Sequence, residues 1–387
     1  MRPEALSFVF LLISISSVRA LTVSSDVKAL QAFKAAVKPS TIPSYSCLGS
    51  WDFATDPCAL PRRTHFTCGL SCSQDATRVT AIVLDSVRYS GALTPTLSWL
   101  RNLTTLDLAD NEFYGQIPSA IFTLPNLQSL TLRSNAFSGP IHPSVANMKS
   151  LQVLDLSRNS LTGPLPGSMS SLISLHRLDL SFNKLTGTLP KSLPASLSEL
   201  AVRSNLLTGY LAESTFKGMA RLEVVELSAN AFSGTLPAWF FQLPAIQQVN
   251  LSNNTFTGIE VSKPNADSSD LIAVDLSFNQ IQGYLPVNFT AYPYLSSLSL
   301  RYNRFRGPVP LEFSKKQTLR RLFLDGNFLN GKPPNGFFSN QAPVAGSLAD
   351  NCLQSCPASS RLCSPAQKPT AVCRQAYGGK PKQKPRP

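Results

Sequence analysis

The chain has 387 residues, with 35 Lys and Arg against 22 Asp and Glu, and a formal net charge of +13 at pH 7. Beyond the first twenty residues no stretch is apolar enough to cross a bilayer, which takes roughly 20 consecutive apolar residues. The composition therefore excludes a membrane-spanning mature protein, and the charge favours anionic partners, which outside a cell are acidic polysaccharides, sulfated peptides and lipid headgroups.

The N-terminus has the features of a secretory signal peptide. Arg2 supplies a positive charge, the run from Ala5 to Val18 is apolar, and Val18 and Ala20 are the small residues that signal peptidase requires. We therefore expect residues 1–20 to be removed, and the mature protein to be secreted to the cell exterior or cell wall, the apoplast.

The eight cysteines fall into two groups, one near each end of the chain: Cys47, Cys58, Cys68 and Cys72, then Cys352, Cys356, Cys363 and Cys373. An even number of clustered cysteines in a secreted chain predicts disulfides. Zinc is the alternative, but the spacings are irregular and His65 is the only histidine near either group. All eight are therefore predicted to be structural.

An asparagine recurs about every 24 residues through the middle of the chain, at Asn111, Asn135, Asn159, Asn183, Asn205, Asn230, Asn254, Asn279, Asn303, Asn327 and Asn351. It closes the pattern LxxLxLxxN, in which leucines alternate with polar residues and predict a short strand with one buried face. Stacked coils would pair these strands in parallel, and each asparagine amide would bind the backbone of neighbouring coils. The pattern predicts an α/β repeat solenoid of about twelve coils, roughly 55 Å long.

Each coil continues with glycine, a variable residue, an aliphatic residue and proline, as in Gly115 to Pro118. Glycine permits a tight turn, and proline fixes an extended backbone without a donor, so strand pairing is expected to end there. The complete repeat, LxxLxLSxNxLxGxIP, resembles the plant-specific class of leucine-rich repeats found in receptor kinases, receptor-like proteins and polygalacturonase-inhibiting proteins.

The segments Ser50-Trp51, Asp56-Pro57-Cys58 and Cys68 to Cys72 are similar to the N-terminal cap of that class. The resemblance implies a curved superhelix with a parallel β-sheet on its concave face and a disulfide-linked cap at each end. It also implies the pairs Cys58–Cys72 and Cys47–Cys68, whereas all three pairings of the C-terminal cysteines stay open. The expected organisation is a signal peptide (1–20), an N-terminal cap (21–78), repeats (79–351), a C-terminal cap (352–376) and a basic disordered tail (377–387).

No catalytic constellation emerges from the sequence. His65, His142 and His176 are far apart, and known nucleophile, phosphate-loop and metalloprotease motifs do not occur. Asp155 and Asp179 would stand about 5 Å apart on adjacent strands, a spacing that could suit a paired-carboxylate hydrolase. Because LDLS is the default strand sequence of the resembling family, we instead predict a protein without enzymatic activity, cofactor or metal.

Seven basic residues against one acid, Glu312, distinguish the segment 301–321: Arg301, Arg304, Arg306, Lys315, Lys316, Arg320 and Arg321. By repeat phase, a candidate ligand site should lie on the inner face of two adjacent coils, at Arg301, Tyr302, Arg321 and Phe323. Two guanidiniums beside two rings suit a carboxylate, a sulfate or a galacturonate. The alternative is a solvated basic patch on the outer loops, which fits Lys315 and Lys316 better.

Some plant receptor kinases capture a peptide's C-terminal carboxylate with an Arg-x-Arg pair on the inner face. The segment Arg304-Phe305-Arg306 has that sequence but follows the asparagine, outside the predicted inner strand, so the resemblance does not extend to this motif. Asn102, Asn253 and Asn288 head glycosylation sequons, of which Asn253 borders the inner face.

These observations predict a non-catalytic recognition protein that binds an extracellular peptide, a glycan or the ectodomain of another receptor. Two alternatives stay open. One is an inhibitor of polygalacturonase that uses the same inner strands, and the other is a wall-structural protein held on acidic polysaccharide by its basic tail. No nucleic-acid partner is expected outside the cell.

Overall fold

The computed structural model describes residues 21–59, 66, 68–264, 269–339 and 344–377. The predicted signal peptide, His65 and the tail beyond Tyr377 lie outside these ranges. Thirteen strands form one sheet, here called the inner sheet: Leu70–Cys72, Val79–Val83, Thr105–Asp107, Ser129–Thr131, Val153–Asp155, Arg177–Asp179, Glu199–Ala201, Val224–Glu226, Gln248–Asn250, Ala273–Asp275, Ser297–Ser299, Arg321–Phe323 and Ala345–Ser347.

The inner sheet confirms the predicted solenoid. Its first two strands pair antiparallel, and every later pair is parallel, with each repeat supplying one strand. From Thr105–Asp107 to Arg321–Phe323 the middle residue of each strand points into the core, so that Leu154 pairs with Leu178 and both are fully buried. The residues on either side of it point outward and form the columns that the repeat phase predicts.

The recurring asparagine forms the expected ladder. The side-chain amide of Asn159 donates to the carbonyls of Leu132, Leu156 and Ser157, at 2.9, 3.1 and 3.1 Å. Its carbonyl oxygen accepts from the backbone N–H of Phe137 at 3.0 Å. Because Leu132 and Phe137 belong to the preceding coil, one side chain joins two coils, and this explains why the residue repeats.

A second set of strands, which the sequence analysis did not predict, follows the asparagine in most coils. These outer strands form three parallel sheets: Tyr114–Gln116, Ala136–Pro140, Ser160–Pro164 and Lys184–Thr186; then Thr208–Gly209, Ala231–Leu236 and Thr255–Ile259; then Gln282–Tyr284, Arg304–Gly307, Phe328–Gly331 and Cys352–Leu353. Most of these strands include the motif glycine and stop before its proline, so strand pairing ends where the proline predicts. The two breaks coincide with the short coil before Asn205 and with the insertion after Val261.

Short helices form the remaining side of the coils. The α-helices are Ser24–Ala35, Cys47–Ser50, Glu213–Phe216, Leu311–Lys315 and Thr370–Tyr377. The 3-10 helices are Pro39–Thr41, Pro95–Trp99, Ser119–Thr123, Pro143–Asn147, Met169–Ser171, Ala238–Gln242, Val287–Ala291, Asn335–Phe338 and Arg361–Cys363. Several begin directly after the motif proline, because its backbone cannot continue the preceding strand pairing.

Disulfides close both ends. The N-terminal pairs are Cys47–Cys68 and Cys58–Cys72, as the family resemblance implied. At the C-terminus the structure selects Cys352–Cys373 and Cys356–Cys363 from the three possible pairings. The caps cover core side chains that would otherwise be exposed at the end coils, since a solenoid has no neighbour there.

Candidate functional site

A groove of about 530 Å³ crosses five neighbouring strands of the inner sheet, from Val224–Glu226 to Arg321–Phe323. Its floor consists mainly of small or polar outward side chains, among them Asn250, Ser252 and Ser277. Arg301, Arg321 and Phe323 line it together, as predicted from their repeat phase. We call this feature the Arg321 groove.

Arg301 stands at the centre of an aromatic cluster. Its guanidinium carbon lies 5.8, 5.0 and 5.7 Å from the ring centroids of Phe278, Tyr302 and Phe323, respectively. Such distances allow favourable cation–π contacts. The side chain is still 35% exposed, so the rings hold the guanidinium in place while leaving part of it accessible to solvent.

Arg301 also has an acidic partner that was not anticipated. Its Nη2 lies 3.0 Å from Oδ2 of Asp325, which occupies the same outward column one coil further on and whose side chain is 7% exposed. Asp325 Oδ1 and Arg301 Nε are buried and have no hydrogen-bond partner among the described residues. Burial raises the pKa of Asp325, and the nearby Arg301 charge opposes that rise.

Arg321 is the less constrained cation of the groove. It is exposed at the start of its strand, beside Ser297 on one side and Ala345 on the other. Within the described part of the chain, its guanidinium has no carboxylate within ion-pair distance, whereas Arg301 has Asp325. Of the two predicted guanidinium groups, that of Arg301 is paired with Asp325, and that of Arg321 has no ion-pair partner among the described residues.

Tyr302 does not line the groove floor. Its ring stacks on Phe278 of the preceding coil, with centroids 4.7 Å apart and planes inclined by 15°. Both residues adopt positive φ angles directly before the ladder asparagine, and Gly326 occupies that position on the next coil. A Cβ on Gly326 would lie 2.4 Å from Tyr302 Cδ1, so the glycine provides the space for the ring. Phe278, which the candidate set omitted, belongs to the site.

The other basic residues of the segment 301–321 lie elsewhere. Arg304 and Arg306 belong to the outer strand Arg304–Gly307, and Lys315 ends a short helix. Lys316 donates from Nζ to the carbonyl oxygen of Tyr292 at 2.6 Å, and burial lowers its pKa. The fold therefore divides the basic stretch of sequence among three faces.

The column of outward carboxylates has a structural explanation. Asp155 Oδ1 accepts from the backbone N–H and the hydroxyl of Ser157, at 3.0 and 2.6 Å. Asp275 makes the same two contacts with Ser277. Each carboxylate fixes the turn that leads out of its own strand. Within the described ranges no three His, Cys, Asp or Glu residues converge into a possible metal site.

The three sequons differ in accessibility. Asn253 is exposed, with a φ of 53°, at the border of the inner face. Asn102 is half-buried, and Asn288 donates from Nδ2 to the carbonyl oxygen of Val261 at 2.7 Å. Asn253 is thus the most open of the predicted glycosylation sites. Among the described residues, no helix combines the length and apolar character that a membrane span needs.

Family models match four stretches of the chain. A leucine-rich-repeat N-terminal domain matches residues 23–64, and leucine-rich-repeat models match 102–124, 125–185 and 195–256. Receptor-like protein 7 of Arabidopsis thaliana is 34% identical over 141 residues, which are 36% of this chain and 14% of that relative. Receptor like protein 27 of the same plant is 34% identical over 122 residues, 31% of this chain and 14% of that protein. The chain therefore matches only a small part of these relatives' length.

Solved structures extend the likeness along the chain. The plant peptide hormone receptor RGFR1, solved in complex with RGF2, is 28% identical, with a TM-score of 0.63, over 68% of this chain and 42% of the receptor. A TDR receptor is 30% identical, with a TM-score of 0.61, over 72% of this chain and 47% of the receptor. The chain thus contains leucine-rich repeats with a leucine-rich-repeat N-terminal domain, is similar in sequence to plant receptor-like proteins, and has the solenoid fold of plant receptor ectodomains.

Proposed function

We propose that the chain is a secreted, non-catalytic recognition protein that binds an extracellular peptide in the Arg321 groove. The observation that carries the proposal is the unpaired guanidinium of Arg321, which lies in one groove with Phe323 and the ring-held Arg301. A guanidinium without a protein partner can form two charge-assisted hydrogen bonds with a carboxylate or a sulfate. The neighbouring ring supplies apolar contact area.

The dimensions of the groove suit a short extended chain. Its five strands span four spacings of about 4.8 Å, or about 19 Å in total. An extended peptide advances about 3.3 Å per residue, so about six residues would cross the floor. Ser252, Ser277 and Asn250 offer donors and acceptors along that path, and Arg321 would receive an acidic side chain or the C-terminal carboxylate.

Two further considerations support this function. RGFR1, which has the same fold, is described as a plant peptide hormone receptor in complex with RGF2, and PEPR1 was solved with AtPEP1, at 25% identity to this chain and a TM-score of 0.65. In the receptor-like relatives the repeats belong to an ectodomain, so we place this chain outside the cell, in the apoplast. This location agrees with the predicted removal of a signal peptide at residues 1–20 during secretion and with the predicted glycosylation of Asn253.

The proposal can be tested by panning the purified protein against a library of extended peptides about eight residues long. We expect enrichment of peptides with an acidic residue or a free C-terminal carboxylate, and at least 10-fold weaker binding of those peptides to Arg321→Glu. Arg320→Glu is the matched control, because this exposed neighbour does not line the groove. Equal loss in both variants, or no enrichment with the native chain, would overturn the proposal.

The same purified protein distinguishes the other two hypotheses. Inhibition of polygalacturonases that persists in Arg321→Glu would support the inhibitor hypothesis instead. Retention on pectin that disappears when residues 378–387 are removed would support attachment through the basic tail. Either result without peptide binding would replace the receptor-like function.

A further inference from the structure

A second groove crosses the inner sheet toward the N-terminus and has no role in the function proposed above. It encloses about 480 Å³ over the strands Val153–Asp155, Arg177–Asp179 and Glu199–Ala201. It meets the Arg321 groove at the strand Val224–Glu226, which lines both. Phe182 stands on its border, so we call it the Phe182 groove.

Two arginines flank the ring of Phe182. The guanidinium carbon of Arg158 lies 4.5 Å from the ring centroid, and that of Arg203 lies 5.4 Å from it. Because both contact one ring, the two cations are no more than about 10 Å apart. Both side chains are exposed, and neither forms an ion pair within the described ranges. The groove therefore presents two guanidinium groups without an ion-pair partner, in a lining that also contains the carboxylates of Asp155, Asp179, Glu199 and Glu226.

The other two arginines of the groove are paired, but only at the surface. Arg133 lies 2.6 Å from Asp110, and Arg177 lies 3.3 Å from Glu199. All four side chains are at least 30% exposed, so solvent screens both pairs strongly. Exposed pairs of this kind contribute little and can exchange partners. They could therefore turn toward an anionic ligand at small cost.

Acceptors lie between these donors on the floor of the groove. Asp155 and Asp179 each use Oδ1 to hold the turn after their strand, through Ser157 and Ser181. Their Oδ2 atoms make no hydrogen bond within the described part of the chain. The two carboxylates lie side by side on adjacent strands, at the strand spacing of about 4.8 Å, and guanidinium groups occupy the outward positions around them.

The composition of the lining narrows the class of ligand. Phe182, Ala201 and Val224 are its only apolar members, so no apolar pocket exists that could hold the large side chain on which peptide recognition usually depends. Hydroxyl groups both donate and accept, and they match a groove that contains both guanidinium and carboxylate groups. The two arginines without an ion-pair partner favour a ligand that also carries carboxylates.

We propose that the Phe182 groove binds an acidic saccharide, namely an oligomer of uronic acid residues. In this site Arg158 and Arg203 hold sugar carboxylates, and the Oδ2 atoms of Asp155 and Asp179 accept from sugar hydroxyls. The site is separate from the Arg321 groove, and its occupancy does not depend on the peptide function proposed above.

The test is calorimetric titration of the full-length protein with a short oligogalacturonate, beside its fully methyl-esterified, uncharged counterpart. We expect binding of the acidic oligomer only, and at least 10-fold weaker binding by the double variant Arg158→Glu with Arg203→Glu. Arg101→Glu with Arg221→Glu is the matched control, because it makes the same change in net charge at exposed residues outside the groove. This control should bind like the native chain.

Three results would overturn the inference. Equal loss in the control variant would mean that overall charge, and not the groove, attracts the oligomer. If the esterified oligomer binds as tightly as the acidic one, the two guanidiniums do not bind sugar carboxylates. Binding of a glutamate hexamer as tight as that of the oligogalacturonate would indicate an acidic peptide in place of a saccharide. Arg321→Glu should leave oligogalacturonate binding unchanged, which separates this result from failure of the peptide proposal.

Discussion

The guanidinium of Arg301 lies 3.0 Å from the carboxylate of Asp325 on the next coil and within 6 Å of the centroids of three aromatic rings. This contact fixes the orientation of Arg301 but removes much of its charge from the groove. Arg321, which has no such partner in the described chain, carries the remaining positive charge. The two arginines are therefore unequal, and substitutions at them should have different effects.

The first prediction concerns the pH dependence of the Asp325 contact. Burial raises the pKa of Asp325 above the usual value of 3.8, so the folded protein holds this proton more tightly than the unfolded chain does. Ionisation of Asp325 therefore lowers the free energy of unfolding as the pH rises from 3.8 through the pKa of Asp325 in the folded protein. In urea unfolding, native stability relative to Asp325→Asn should fall as the pH rises across that window. If the stability of the native protein relative to Asp325→Asn instead rises with pH, the attraction of the Arg301 charge outweighs the effect of burial on Asp325.

The second prediction concerns the space that Gly326 leaves for Tyr302. Gly326→Ala should destabilise the protein by about 1–2 kcal/mol, because an L-residue is strained at a φ of +72°. The added Cβ should also displace Tyr302 from Phe278, which a change in tyrosine fluorescence or a crystal structure would reveal. Gly167→Ala is the control, since that glycine has no positive φ and nothing within 4 Å of an added Cβ. Equal stability of the two variants would contradict the argument.

The third prediction concerns the asparagine ladder. Asn327 is fully buried and donates to the carbonyls of Leu300 and Leu324, at 2.9 and 3.0 Å, while accepting from Phe305 N–H at 3.1 Å. Asn327→Ala leaves these groups unpaired and should cost at least about 2 kcal/mol of unfolding free energy. The exposed Asn335→Ala should change it by less than about 0.5 kcal/mol. Chemical denaturation of both variants measures the difference, and similar values would argue against the ladder as a structural element.

The fourth prediction concerns the C-terminal cap. The helix Thr370–Tyr377 has no buried residue, and it is tethered by Cys352–Cys373 and by Tyr377, whose hydroxyl accepts from Gly307 N–H at 3.1 Å. Replacing Cys352 and Cys373 by serine should raise hydrogen exchange throughout this helix and cost about 2–4 kcal/mol. Replacing Cys356 and Cys363 instead should leave exchange in the helix nearly unchanged. Protection of the helix in the first variant would mean that Tyr377 alone suffices.

Part of the candidate site could be predicted from the repeat phase. Because each coil returns to the same position about every 24 residues, the phase places Arg321 and Phe323 on the inner face without any knowledge of the fold. The acidic partner of Arg301 could also have been predicted from the sequence, since Asp325 follows Arg301 by one repeat in the same column. Phe278 has an equivalent signal, because it precedes Tyr302 by one repeat, immediately before the asparagine.

The amino-acid sequence by itself determined the architecture. Leucines and an asparagine recur about every 24 residues, and stacking the coils buries these leucines and pairs the asparagine amides with the backbone. It also determined which side chains face outward. The tertiary structure alone decided which outward groups are free, because coils stack closely enough for side chains one repeat apart to pair and stack. The tertiary structure also determined where the outer strands form and which C-terminal cysteines pair, because both depend on which segments lie next to each other in the folded chain. That is why Arg321 emerges as the free cation of the groove and Arg301 does not.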